Sequence, residues 1–248
     1  MKTLSTKARI EAFTLIELLL VIAIIAILAA LFLPTSGGPG KARMIICAQN
    51  LKTIGNSFTA WSQEHEGKLP MQVSITNGGS MGFIASGSAV VHFQILTNSG
   101  LELVERGTKY FIRDGKNAYE PYSIINHGMK RELLVCPSDT SRRDSIYLTN
   151  SIADMVDTNI SYFVGLDASL SNSNSILAGD RHLQAGGEPI KPGLFVVTPN
   201  LSLGWTKELH PSLQQGNILF ADGHAEFSRK PSAAFQKQGL GTNRLAVP

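Results

Sequence analysis

Residues 12–34, AFTLIELLLVIAIIAILAALFLP, decide how the rest of the chain is read. From Phe13 to Leu33 the 21 residues include two polar side chains, Thr14 and Glu17. As a helix rising 1.5 Å per residue, the run would reach about 31 Å, the hydrocarbon thickness of a bilayer. Upstream, Met1 to Ala12 form a short leader carrying Lys2, Lys7 and Arg9 against Glu11. Its positive charge places the leader on the cytoplasmic side and the bulk of the chain outside. Glu17 is the anomaly. A carboxylate at the centre of a membrane helix costs about 2.5–3.5 kcal/mol, so it needs a partner that neutralises it. A cleaved secretory signal would have a shorter apolar core followed by a small-residue site. A plain single-pass anchor fits the length but gives no reason for Glu17.

The order of these residues resembles the prepilin N-terminus of type IV pilins and type II secretion pseudopilins. In that family a peptidase cuts just before a Phe, the new amine is methylated, and a Glu at mature position five meets that amine on a neighbouring subunit. The match here is Ala12 followed by Phe13-Thr14-Leu15-Ile16-Glu17. With Phe13 as the first mature residue, Glu17 is the fifth and Pro34 the twenty-second, where these proteins often carry Pro. Ala12 stands where the family usually has Gly. The resemblance therefore implies cleavage between Ala12 and Phe13, methylation of Phe13 and an assembly role for Glu17.

Beyond Leu33, three glycines and two prolines fall between Pro34 and Gly40. Such a stretch does not sustain a regular helix, so residues 34–40 read as a hinge or a flexible linker. Helix is predicted to resume at about Lys41. Met44, Cys47, Leu51, Ile54, Phe58 and Trp61 are spaced 3, 4, 3, 4, 3, which puts them on one stripe of an amphipathic helix over 41–66, closed by Gly67. Gln49, Asn50, Lys52, Asn56 and Gln63 lie between them. A stripe of this kind is ordinarily core.

From Leu69 the chain is turn-rich. Val90–Leu96 reads as a short helix or a strand. Strands are predicted at Leu133–Cys136, ending at Pro137, and at Ser161–Leu166, Ile176–Ala178, Gly193–Thr198 and Asn217–Ala221. Asp222-Gly223 turns the last of these into Ala225–Phe227 as a hairpin. The predicted fold class is α+β: a long N-terminal helix, one half apolar and one half amphipathic, packed on a small antiparallel sheet with long loops. The organisation is a leader (1–12), an assembly helix (13–33), a hinge (34–40) and one globular domain (41–248).

The phrases Cys136-Pro137-Ser138-Asp139, Ser161-Tyr162-Phe163-Val164-Gly165-Leu166-Asp167, Leu177-Ala178-Gly179-Asp180-Arg181 and Gly216-Asn217-Ile218-Leu219-Phe220-Ala221-Asp222-Gly223-His224 are similar to those of bacterial pseudopilin-like proteins. Many of those end in a His, nine residues, then Asp-Gly. Here eleven residues separate His210 from Asp222-Gly223.

The remaining signals narrow the function. The net charge is +3, and the leader supplies +2 of it, so the rest is nearly neutral and offers no basic face to nucleic acid. The two cysteines, Cys47 and Cys136, permit one disulfide in an oxidising compartment, while a free thiol at Cys47 would also pack well on the helix stripe. The six histidines (65, 92, 127, 182, 210 and 224) fall in neither a Ser-His-Asp nor a His-Glu-x-x-His pattern. Ser138-Asp139 and Asp180-Arg181-His182 read as turn capping and an ion pair. By family analogy Asp167, Asp180 and Asp222 would offer oxygens to Ca²⁺, but the spacing of a calcium loop is missing. No metal, no cofactor and no catalytic residue are expected. The expected partners are prepilin peptidase, other pilin or pseudopilin subunits and the inner membrane. The alternative is a membrane-anchored extracytoplasmic binding module or enzyme that uses a prepilin-type signal only for export.

Overall fold

A computed structural model describes residues 14–32, 39–96, 102–105, 108–111, 130–143, 152–210, 214–239 and 242–248. The chain divides into two compact units, 1–38 and 39–248.

The first unit contains helix α1 (Leu15–Phe32). Its described side chains are exposed on every side, from 41 % at Val21 to 80 % at Leu15. A helix that is apolar all round builds no amphipathic face and needs an apolar environment from outside itself. Among the described residues no helix is long and apolar enough to cross a membrane. The 18 residues of α1 reach about 27 Å, less than the span predicted for 13–33, because Phe13 and Leu33 lie outside the described residues.

The second unit begins with α2 (Pro39–Gln63). Of the predicted hinge, 34–38 lie outside the described residues, while Pro39 and Gly40 are the first two residues of α2. Proline suits a helix start, since its fixed φ is already helical and its missing N–H would have had no partner there. The helix ends at Gln63 rather than near Glu66. Glu66 and Gly67 adopt positive φ (58° and 74°), and the Gly67 amide donates back to the Ser62 carbonyl. All six stripe residues are buried.

A small hairpin joins β1 (Glu102–Glu105) to β2 (Thr108–Phe111). The main sheet comprises β3 (Tyr162–Gly165), β4 (Ile176–Asp180), β7 (Gly193–Val197), β9 (Gly216–Phe220), β10 (Ala225–Ser228) and β11 (Asn243–Val247), in the order β10-β9-β4-β3-β11-β7, all antiparallel. A second sheet, β6-β5-β8, is formed by β5 (Leu183–Ala185), β6 (Glu188–Pro189) and β8 (Leu203–Trp205). The short helices are α3 (Val90–Gln94), α4 (Thr140–Arg143) and α5 (Pro231–Lys237).

Leu133–Cys136 is not a strand. It forms a 3₁₀ turn at Arg131–Leu134 followed by an irregular link. The Ser161 amide donates to the Leu134 carbonyl, but no ladder follows. The run is apolar because it enters the core: Leu134, Val135 and Cys136 are all buried.

The central strands of the main sheet are buried on both faces. Val164, Leu177, Leu219 and Ala246 join the α2 stripe in one core cluster. Phe163, Ile176, Ile218, Phe220, Leu245 and Val247 join Leu183, Leu203, Trp205 and Phe235 in the other. Alternate residues therefore feed opposite cores. In β4 the alternation breaks where the register shifts between Ile176 and Ala178, so Leu177 and Ala178 both face the α2 side. Gly55 lets α2 settle on the sheet, since a Cβ there would stand 3.2 Å from Leu219.

Candidate functional site

Among the described residues, two places carry chemistry beyond packing. The first is the start of α1. Thr14 and Glu17 close on each other: the Thr14 amide donates to Glu17 Oε2 at 2.8 Å, the Thr14 hydroxyl donates to the same oxygen at 2.7 Å, and the Glu17 amide donates to Thr14 Oγ1 at 3.3 Å. This is a capping box, in which residues three apart satisfy each other's amides at a helix start. Glu17 thus has a partner within its own chain, beyond any that a neighbour would bring. The pattern Thr14-x-x-Glu17 was visible in the sequence as such a box, and the reading of Glu17 as an unpaired charge passed over it. Ala12 and Phe13, the predicted cleavage and methylation positions, lie outside the described residues.

The second is a buried polar cluster between α2 and the main sheet. Cys47, on α2, and Cys136 are joined as a disulfide across 89 residues, with Cα atoms 5.0 Å apart. His210 Nε2 lies 3.9 Å from Cys136 Sγ and 3.3 Å from Asp180 Oδ2. Asp180 Oδ2 also accepts the Asn217 backbone amide at 2.7 Å and the Asn217 side-chain amide at 2.9 Å. Asp180, His210 and Asn217 are all buried. Three polar atoms here have no hydrogen-bond partner among the described residues: His210 Nδ1, Asp180 Oδ1 and Asn217 Oδ1. His182 packs edge-on to the His210 ring, with centroids 5.6 Å apart, and burial pushes it down to about 4.

Other candidates resolve into structural pairs. Asp139 accepts two hydrogen bonds from the Arg181 guanidinium, at 2.8 and 3.1 Å, and one each from the Ser141 and Ser161 hydroxyls. Burial pushes the Asp139 carboxyl up, but the Arg181 hydrogen bonds and charge, with those hydroxyls, hold it below the usual carboxylate value. Arg181 also reaches Glu208 at 2.9 Å. The three Ca²⁺ candidates do not converge. Asp167 pairs with Arg244, Asp180 sits in the buried cluster and Asp222 pairs with His224 in the β9–β10 turn. His210 therefore faces Asp180, not Asp222. Local spacing gave no sign of this, because the residues that meet come from distant segments.

Residues 7–33 match the prokaryotic N-terminal methylation motif, the prepilin-type signal of type IV pilins and pseudopilins. No curated protein and no solved structure matches the chain.

Proposed function

We propose that this chain is a pilin-like structural subunit, a pseudopilin of a type II secretion or type IV pilus-like system, and not an enzyme. Prepilin peptidase removes Met1 to Ala12 and the Phe13 amine is methylated. The apolar segment 13–33 holds the subunit in the inner membrane, with the globular unit on the far side. One observation carries this reading: the methylation motif falls on a helix that is apolar on every side and bears its single carboxylate at the fifth mature position.

The geometry suggests how one carboxylate serves two states. Cleavage before Phe13 leaves the Phe13–Thr14 peptide intact, so the Thr14 amide and hydroxyl still cap Glu17 in the stored subunit. Glu17 Oε1 is left to meet the Phe13 amine of a neighbour during assembly. A mismatched register leaves a charge unpaired in an apolar bundle, a penalty of several kcal/mol. Intact mass of the chain purified from membranes tests the processing. The expected product begins at Phe13 and carries one added methyl group. A product beginning at Met1, or beyond Leu33, would overturn the reading.

A further inference from the structure

We propose that Cys47, Cys136 and His210, with Asp180 beside His210, form a site for a single thiophilic divalent cation of the zinc type, closed while the disulfide is intact and opened by its reduction. The donor atoms of Cys47, Cys136 and His210 all lie within 4.8 Å of one another, and all three residues are buried. Two thiolates and one imidazole are three of the donors that a tetrahedral zinc centre takes, and the Asp180 carboxylate lies 3.3 Å from His210 Nε2. Zinc bonds of about 2.3 Å to sulfur and about 2.0 Å to nitrogen place those donors about 3.5 Å apart in a tetrahedron. Cys136 Sγ and His210 Nε2 stand 3.9 Å apart already.

The orphaned atoms supply independent support. Asn217 fixes Asp180 through Oδ2 and leaves Oδ1 without a partner among the described residues. A buried carboxylate is costly without a counter-charge, and a cation held beside His210 would supply one. His210 Nδ1 has no partner among the described residues, and binding through Nε2 needs the imidazole proton on Nδ1 rather than shared with Asp180. The ligand spacings of 89 and 74 residues explain why no metal motif shows in the sequence.

The two states exclude each other because the thiolate is the ligand, and a sulfur held in a disulfide is not one. A dithiol reductant opens the site. It transfers two electrons and two protons, giving the Cys47 and Cys136 thiols and its own disulfide. The cation then binds both sulfurs and releases two protons. Either linkage ties α2 to the segment after the 3₁₀ turn at Arg131–Leu134, so a newly exported chain can be fastened by oxidation or by metal.

The test uses the full chain in detergent, reduced with a phosphine and titrated with Co²⁺ as the probe. The expected result is one Co²⁺ per reduced chain, with thiolate-to-cobalt charge-transfer absorption and the strong visible bands of a tetrahedral site, displaced by Zn²⁺. The oxidised chain should take up none. His210→Ala, which keeps both thiols, should weaken binding at least about tenfold. If reduction alone lowers the far-UV helix signal, one equivalent of Co²⁺ should restore it. The proposal is overturned if the reduced chain shows no charge-transfer band, if the oxidised chain binds as tightly, if His210→Ala binds unchanged, or if metal fails to restore a lost signal.

Discussion

Glu17 shows how much one residue can hold. Its carboxylate is satisfied locally by Thr14 in the single chain, and it is also the only ionisable group in the apolar run. Glu17→Ala removes a desolvation penalty and one half of the capping box, while Thr14 still caps the residue-17 amide. The stored membrane pool should therefore persist. Assembly should fail, because the Phe13 amine of each neighbour is left without a counter-charge. Filament yield from cells with equal membrane levels of both variants checks this, and normal assembly by the alanine variant would remove Glu17 as the register device. At this scale the sequence carries the signal wherever partners are near in the chain: the Asp222-Gly223 turn was read from it, and the Thr14-x-x-Glu17 box was there but passed over. The sequence is silent where they are far apart. His210, Asp180 and Cys136 meet only because α2, β4 and two loops converge, and no spacing rule encodes that.

Elements were legible in proportion to how well their burial pattern matched their geometry. The α2 stripe kept a helical period over six residues and was found. The strands β3, β4 and β9 read as apolar runs because the centre of the main sheet has a core on each face, whereas β7 at its edge is apolar although Leu194 and Val196 are exposed. The same rule misled at Leu133–Cys136, where apolar character came from a buried irregular link carrying a disulfide. Strand β11, Asn243–Val247, went unread because five residues with Arg244 and Asn243 among them carry too little pattern, yet it is paired on both sides, between β3 and the edge strand β7. Gly179 on β4 is a position where an element depends on a missing side chain. A Cβ there would stand 2.6 Å from the Phe163 ring and 2.9 Å from the Asn217 carbonyl oxygen. Neither neighbour can retreat, since both lie in strands paired with β4. Gly179→Ala should cost about 1–3 kcal/mol by overpacking. Denaturant midpoints for the two chains measure it, and an unchanged midpoint would mean that the sheet relaxes freely at this point.

For the whole molecule, the division between an apolar helix and a globular unit could be drawn from hydropathy and glycine content, but the stability of that unit against acid depends on burial that only the fold reveals. His92 is fully buried, with Nδ1 2.7 Å from the Ser80 hydroxyl, and burial pushes it down to about 4. His182 is pushed down to about 4 chiefly by burial, with Asp180 opposing and His210 and Arg181 adding to the fall. In the unfolded chain both titrate near the ordinary histidine value of about 6.5. Between about pH 6.5 and about pH 4 the unfolded state therefore binds protons that the native state refuses, and stability falls as pH falls. Each histidine contributes on the order of 3 kcal/mol to that loss. Asp139 acts lower down. Its depressed carboxyl contributes stability above about pH 4, and that contribution disappears as pH drops through its native value. The acid limb should thus begin near pH 6.5, well above the carboxylate range. His92→Gln, which keeps a hydrogen-bonding group toward Ser80 but cannot take up a proton, should flatten the upper part of that limb and leave the part below about pH 4 in place. Urea midpoints of the full chain from about pH 7.5 to about pH 3.5 read both effects, and a midpoint that stays level down to about pH 4.5 would mean the buried histidines titrate alike in the two states.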